Sequence, residues 1–270
     1  MILWIASYPK SGNTWVRALL TNYISDGHEN VLEKLNKISR FPNKNYFKNI
    51  VDIDLLKKDN MELFKYFIPA QKKINENKKL NIIKTHNFGG SIRGYPFSDL
   101  ENTCGSVYIV RDPRSIAVSY AYHANITFEK SVDILLSENR IIINDKLYPE
   151  ARMSWKIHIL SWLNNPWPKV LIRYEDLYSN TYKQFKIILT FLSNFVKLEI
   201  NEDKIKNTIN ICSFENLSKL EKRFGFKEKL HDVNFFRKGE TDEWKKNLPT
   251  KLITKIEKNF EKEMKELDYI

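Results

Sequence analysis

The chain has 270 residues, 42% hydrophobic and 13% aromatic, with only 8 glycines and 9 prolines. That is enough chain to bury a core without disulfide or metal support, and the composition excludes a disordered, collagen-like or linker-dominated protein. Lysine and arginine number 44 against 33 Asp and Glu, a formal net charge of +11, which invites anions: nucleic acid, anionic lipid, or sulfated or phosphorylated small molecules.

In chain order, Ile2–Ser7 is a short apolar run ending in a turn and reads as a buried strand. Thr14–Ile24 reads as a helix, with Trp15, Ala18, Leu19 and Tyr23 near helical spacing. The lysine- and asparagine-rich stretch Lys72-Lys73-Ile74-Asn75-Glu76-Asn77-Lys78-Lys79 reads as a solvated face. Leu80–Lys84 is a second strand and Ser106–Val110 a third. Asp112-Pro113 then signals a helix start, and the helix continues over Ser115–Tyr122. A helix is expected over Tyr148–Leu163, with Trp155, Ile159 and Trp162 on one face. Val170–Arg173 is a fourth strand, followed by a helix over Thr181–Leu192, and Leu252–Leu267 is a charged amphipathic helix. No apolar run of about 18 residues exists, so no transmembrane segment is expected. The start, Met1-Ile2-Leu3-Trp4-Ile5-Ala6, turns polar too soon for a signal peptide. The two cysteines, Cys104 and Cys212, make no disulfide framework and fit a reducing, cytoplasmic location.

Strands separated by helices predict the α/β class, with a central parallel sheet flanked by helices and right-handed crossovers. Ligands of such sheets sit beyond the carboxyl ends of the strands. That singles out Tyr8–Thr14, Thr85–Phe88, Arg111–Arg114 and Tyr174–Asp176.

The segment Tyr8-Pro9-Lys10-Ser11-Gly12-Asn13-Thr14-Trp15 joins the first strand to the first helix. A helix N-terminus offers unpaired N–H groups and the positive end of the dipole. Gly12 lets backbone approach an anion, Ser11, Asn13 and Thr14 add donors, and Lys10 adds a charge. A plain strand–turn–helix bend accounts for Gly12 but not for the other four together. The lysine precedes the only glycine, so the G-x-x-x-x-G-K-[ST] loop is not matched. In Arg111-Asp112-Pro113-Arg114-Ser115-Ile116-Ala117-Val118-Ser119, Arg111 is able to grip a phosphate with its fork of donors. Equally, Asp112 there reads as a helix cap and the arginines as surface charge. Ser119 lies about two helical turns further on.

These motifs resemble those of PAPS-dependent sulfotransferases, where PAPS is 3′-phosphoadenosine 5′-phosphosulfate. Tyr8–Trp15 is similar to that family's 5′-phosphosulfate loop, with Asn13 replacing a common threonine. Arg111–Ser119 is similar to its 3′-phosphate motif. Arg237-Lys238-Gly239-Glu240-Thr241-Asp242-Glu243-Trp244-Lys245 is similar to its third motif, R-K-G-x-x-G-D-W-K, with Asp242 and Glu243 where Gly and Asp are usual.

The resemblance implies one P-loop-like sulfotransferase domain over residues 1–270 and an enzyme that moves a sulfonate group from PAPS to a hydroxyl or amine, releasing 3′-phosphoadenosine 5′-phosphate (PAP). It implies His86, in Lys84-Thr85-His86, as general base. Lys10 and the loop N–H groups would stabilise the leaving group, with Lys84 sharing that role. Ser119 would bind the 3′-phosphate and restrain Lys10. Arg111, Arg237, Lys238 and Gly239 would hold the 3′-phosphate. Trp15 and Tyr174 would flank the adenine, and Phe214 would lie near the nucleotide, with Cys212, a poorer donor, in a threonine's place. Trp155 and His158 match a helix near the acceptor pocket. No metal is called for. His28, His123 and His231 read as structural or surface histidines.

The resemblance implies a small-molecule, sugar or lipid acceptor whose identity the sequence does not give, met roughly by Glu29–Lys79, Phe88–Asn102 and Tyr122–Asp145, whose basic, polar composition suits a sugar or an acidic compound. The family's C-terminal dimer signature is half present: Lys246 and Thr250 match, whereas Lys251 and Lys255 depart. Two other classes use the same residues differently. A P-loop nucleotide kinase would share the sheet and loop but need a magnesium aspartate, for which only Asp112 and Asp176 are placed. A nucleic-acid-binding protein would use the net charge but lacks a recognition motif here. A sulfotransferase fold that binds PAPS without chemistry is disfavoured by Lys10 and His86.

Overall fold

The computed structural model describes residues 1–25, 30–51, 59–144, 147–229 and 233–270. His28 and His231 lie outside the described residues, as do parts of the segments expected to meet the acceptor. The chain forms two compact units, one of Met1–Tyr8, Ile38–Ile109 and Ser137–Leu171, the other of Pro9–Lys37, Val110–Leu136 and Ile172–Ile270.

The first unit is built on the sheet. Strands β1 (Ile2–Ser7), β2 (Asn81–Thr85), β3 (Thr103–Val110) and β4 (Lys169–Arg173) lie in the order β2-β1-β3-β4. The strand β1 runs parallel to both neighbours, with Ile5 opposite Lys84 on one side and Val107 on the other. All of β1 is buried, as a central parallel strand covered on both faces requires. Trp4 packs against Phe41 and Phe97, and its Nε1 donates to Thr103 Oγ1 at 2.8 Å. The segment Ser39–Phe41 pairs with the end of β2: Lys84 N–H donates to the Ser39 carbonyl at 2.8 Å, and Phe41 N–H to the Lys84 carbonyl at 2.9 Å. The expected α/β class and parallel sheet are borne out, and the four strands fall where the apolar runs place them.

One expected element differs. The helix anticipated over Tyr148–Leu163 begins only at Trp155, and Leu147–Ala151 is instead a strand paired antiparallel to Ile141–Asn144. Pro149 disfavours helix and suits an edge strand. Met153 then takes φ +56°, and Ser154 Oγ accepts Ile157 N–H at 3.3 Å to start the helix.

In the second unit, the helix α1 (Asn13–Ile24) buries Val16, Ala18, Leu19, Leu20 and Tyr23. The helix α2 (Pro113–Ala124) follows β3 directly. The C-terminal helix Thr250–Glu266 buries Leu252, Ile256, Phe260 and Met264 along one stripe. The helices Glu202–Ile211 and Phe214–Phe224, capped by Asn201 and Ser213, are additional to the expected elements. Among the described residues no helix is long and apolar enough to cross a membrane.

Candidate active site

In the second unit the loop between β1 and α1 is shaped by two left-handed residues, Lys10 at φ +67° and Gly12 at φ +101°. Gly12 is the N-cap of α1 and provides no side-chain cap. The N–H groups of Trp15 and Val16 turn back to the Gly12 carbonyl at 3.0 and 3.2 Å, so the helix start presents the backbone ahead of them. Ser11 is fully buried, and its Oγ finds no hydrogen-bond partner among the described residues. A buried hydroxyl without a partner carries a desolvation penalty, which an anion accepting from it removes. Asn13 and Thr14 are buried at the first helical positions. The Thr14 hydroxyl donates to Glu228 at 3.1 Å, and Arg17 Nη1 donates to the other oxygen of that carboxylate at 2.8 Å.

The Lys10 ammonium lies 3.8 Å from the centroid of the Phe235 ring. Burial, reinforced by Arg111 and Arg237 and opposed by Glu228 and Glu221, lowers its pKa from 10.5 to about 7. Such a lysine gains charge when an anion arrives beside it. Arg111, also buried, donates from Nη1 to the Lys10 carbonyl at 3.0 Å and from Nη2 to the Glu240 carbonyl at 2.9 Å. Its guanidinium lies 4.2 Å from the centroid of Tyr174, whose hydroxyl donates to the Gly239 carbonyl at 2.7 Å. The loop, Arg111, Tyr174 and Gly239-Glu240 are therefore one hydrogen-bonded cluster.

Trp15 meets Tyr174 edge-on, ring centroids 6.0 Å apart, and its Nε1 donates to the Cys212 carbonyl at 2.9 Å. Cys212 thus contributes backbone there, and burial pushes its thiol up to about 12. Gly239 has φ +73°, and a Cβ on it would come within 2.5 Å of the Phe214 ring, so this turn admits only glycine. Arg237 stacks on Tyr122 at 4.0 Å and pairs with Glu243, which also lies 3.3 Å from Lys238. Burial works against the Glu243 charge, but Arg237 and Lys238 hold its carboxyl below the ordinary value. Glu243 therefore keeps the paired cations of the third motif in place. Ser119 sits half-buried in α2. His123, in the last turn of α2, packs edge-on to Phe235 at 5.6 Å.

In the first unit His86 follows β2. Its Nδ1 lies 2.9 Å from the Ser7 carbonyl oxygen. A carbonyl only accepts, so the proton sits on Nδ1 and Nε2 carries the lone pair. Burial, then the charges of Lys84, Arg40 and Arg152, lower its pKa well below the ordinary 6.5, so the ring is neutral at neutral pH, as a base must be. His158 is fully buried, its Nδ1 2.8 Å from the Tyr108 hydroxyl and its Nε2 3.2 Å from the His86 carbonyl. Burial brings its pKa down to about 3. It holds the His86 peptide rather than titrating. Trp155 is wholly buried beside it on the helix Trp155–Leu163.

A family model, the sulfotransferase domain, matches residues 2–268. The chain belongs to the sulfotransferase family. Flavonol 3-sulfotransferase of Flaveria bidentis is 27% identical over 274 residues, covering 97% of this chain and 81% of that one. The amine sulfotransferase of Oryctolagus cuniculus is 22% identical over 280 residues, covering 98% and 81%. Among solved structures, retinol dehydratase in complex with androsterone and PAP superposes with a TM-score of 0.62 at 18% identity, covering 98% of this chain and 80% of that one. A mouse sulfotransferase complexed with PAP gives 0.61 at 20% identity, covering 98% and 84%. These share the sulfotransferase fold, and the family read from the three motifs is borne out, an enzyme family that uses PAPS.

Sequence reasoning did not reach Ser7, Tyr108, Glu228, Arg40, Glu150 or Arg152. Their roles come from partners far away in sequence. Glu228 stands in Phe226-Lys227-Glu228-Lys229, which reads as solvated, and Ser7 acts through its carbonyl.

Proposed function

We propose that this sulfotransferase uses PAPS to sulfonate a hydroxyl or amine of a small-molecule, sugar or lipid acceptor by in-line transfer, in the cytoplasm and with residues 1–270 acting as one catalytic domain. The observation that carries the reading is the start of α1: no side-chain cap, a buried Ser11 hydroxyl without a partner, and Lys10 with a depressed pKa beside it. These residues fit a phosphosulfate end. Arg111, Arg237 and Lys238 supply the charge for a 3′-phosphate, and Gly239, packed against the Phe214 ring, shapes the turn beside them. Trp15, Tyr174 and Phe214 supply aromatic surface for a base.

Bound PAPS supplies the sulfonate and a phosphate leaving group. Lys10, protonated as the anion binds, and the α1 N–H groups then stabilise charge on the leaving oxygen. His86, its Nδ1–H held by Ser7, takes the acceptor proton at Nε2. Lys84 adds positive charge close to that base. Ser119, on α2, would contact the 3′-phosphate and restrain Lys10. Nothing in this scheme asks for a metal ion, nor for nucleic acid as a partner.

Calorimetry tests it. PAP should bind far more tightly than AMP, because losing charge-assisted bonds to the 3′-phosphate costs a few kcal/mol, on the order of a hundredfold in affinity. Equal affinities would overturn the nucleotide assignment. His86→Ala should abolish turnover and leave PAP affinity nearly unchanged; a collapse of PAP affinity would remove His86 from the role of base.

A further inference from the structure

His86 is the first residue beyond β2, whose pairing with β1 ends at Thr85 opposite Ala6. From there the main chain leaves the ladder while staying inside the first unit, with Asn87 and Phe88 buried. Buried carbonyls without a strand partner are costly, and the helix Trp155–Leu163 supplies side-chain donors in place of the sheet. His158 Nε2 lies 3.2 Å from the His86 carbonyl oxygen, and Trp162 Nε1 donates to the Asn87 carbonyl at 2.9 Å. Residues four apart on a helix share a face, so one face grips two successive carbonyls. Ser161 Oγ accepts Gly89 N–H at 2.8 Å just beyond them.

The contact at His158 fixes where its proton sits. A carbonyl only accepts, so Nε2 carries the proton and Nδ1 of the neutral ring carries the lone pair. The Tyr108 hydroxyl, 2.8 Å from Nδ1, is then the donor. Tyr108 stands on β3, fully buried, with the Trp162 ring stacked on it at 6.0 Å. Burial, then the Tyr8 hydroxyl, raises the Tyr108 pKa well above its ordinary value, and burial brings His158 down to about 3. The pair therefore stays neutral, and its two hydrogen bonds keep their direction, at any working pH.

His86 is thus anchored on both sides of its Cα. Its ring is held by β1, through Nδ1–H to the Ser7 carbonyl at 2.9 Å, and its peptide by His158. If that peptide turned, the Cα–Cβ bond would swing and Nδ1–H would leave the Ser7 carbonyl. A lysine or arginine at position 158 would hold the peptide as well, but would set a further positive charge beside a base that must gain one. A neutral imidazole does not.

We propose that Tyr108 and His158 are positioning residues of the transfer: the Tyr108 O–H sets the tautomer of His158, whose Nε2–H holds the His86 peptide so that His86 keeps its proton on Nδ1 and its lone pair on Nε2. This rests on the reading of His86 as the base and adds the residues that aim it. Neither Tyr108 nor His158 touches the reacting atoms.

The test is nuclear magnetic resonance of the whole protein, isotopically labelled at the histidine ring nitrogens, where protonated and bare nitrogens give separate signals. His86→Ala and His158→Gln assign the spectrum by the signals each removes. In the wild type His158 should carry its proton on Nε2 and His86 on Nδ1, both unchanged between about pH 6 and pH 9. His158→Leu, similar in volume but without a donor, should leave His86 a mixture of tautomers. Tyr108→Phe should shift His86 the same way by less. His158→Gln, whose amide N–H can reach the same carbonyl, should restore the wild-type His86 signals. With an acceptor that the wild type sulfonates, kcat should fall about a hundredfold in His158→Leu and about tenfold in Tyr108→Phe. It should stay within about threefold in His158→Gln, as should PAP affinity by calorimetry in all three. A merely structural role predicts lost stability with the His86 tautomer and kcat unmoved. Wild-type His86 signals in His158→Leu overturn the proposal, and so does a Gln variant that behaves as the Leu variant does. Should His158→Leu fail to fold, Tyr108→Phe, which deletes one hydroxyl, carries the same decision. The base reading is tested apart, by turnover of His86→Ala: full activity there overturns that reading, whereas an unmoved tautomer overturns the positioning, so the two failures are told apart.

Discussion

Two helices in the second unit each follow a strand of the sheet, and their N-termini are finished in opposite ways. The helix α2 is closed by the protein itself. Asp112 caps it, accepting Arg114 N–H at 2.8 Å, and Pro113 occupies the first turn. Arg114, 6% exposed, turns back onto Asp112 with Nη2 at 2.7 Å, reaches the Tyr269 carbonyl at 2.8 Å, pairs with Glu257 and stacks on Trp244 at 3.8 Å. Asp112 N–H is taken by Glu175 at 3.0 Å. The helix α1 starts on a left-handed glycine with no side-chain cap. One start spends its dipole on an internal carboxylate and locks the C-terminal helix in place. The other keeps its dipole for an anion from outside.

The contrast breaks most sharply at Lys10. Lys10→Met should lower kcat by about a thousandfold or more, because the lost charge matters most as the leaving oxygen gains negative charge. PAP affinity and thermal stability should change far less, and EDTA should leave wild-type activity largely intact. Steady-state kinetics of the variant with any active acceptor is the measurement; an unchanged kcat would show that the α1 start carries no chemistry.

At the closed start the expected effect is on stability. Asp112→Ala removes a cap and leaves Arg114 short of a buried partner, at a cost of about 3 kcal/mol. Urea unfolding should show the loss in the midpoint with little change of slope. An unaltered midpoint would make α2 no more dependent on its cap than α1.

Giving α1 a negative charge of its own should make it resemble α2. Ser11→Asp puts a carboxylate where the unpartnered hydroxyl lies and should weaken PAP binding by roughly thirtyfold, about 2 kcal/mol. Calorimetry reads this directly, and undiminished affinity would place the nucleotide elsewhere.

The mildest effect is on pH. With Lys10 at about 7 in the free protein, a bound anion raises its pKa, so binding takes up a proton above neutrality. PAP affinity should fall by up to about tenfold per pH unit as pH rises past 7. The sign for folding is opposite. A lysine whose folded pKa lies below its unfolded 10.5 opposes folding when protons are plentiful, so its contribution to stability improves as pH rises from about 7 to 10.5. Lys10→Met should flatten both profiles, and calorimetry in buffers of different ionisation enthalpy should show the proton uptake vanish.

Much of this architecture is legible along the chain. Strands buried on both faces must be apolar runs, so β1 and β3 stand out without reference to one another. Gly12, Asp112 and Pro113 announce helix starts because their backbone preferences and capping groups act within a few residues. The basic segments Tyr8–Thr14 and Arg111–Arg114 could be placed beyond strand ends for the same reason. Tyr148–Ala151 misled because aromatic and apolar residues fit either period, and there Pro149 and pairing to Ile141–Asn144 decided for strand.

The amino-acid sequence by itself determined the class of fold and the family, and it singled out the segments proposed to carry the chemistry. What each charged group does was decided by tertiary structure. Arg111 and Arg114 are the same residue type in one motif, yet one reaches the Lys10 and Glu240 carbonyls and the other is locked onto Asp112, Glu257 and the chain's end. The tautomer of His86 depends on a carbonyl in β1, and its charged surroundings on Arg40 and Arg152. Local propensity reaches a few residues, whereas the free energy of a buried charge is set by whichever distant groups the fold brings to within a few ångströms of it.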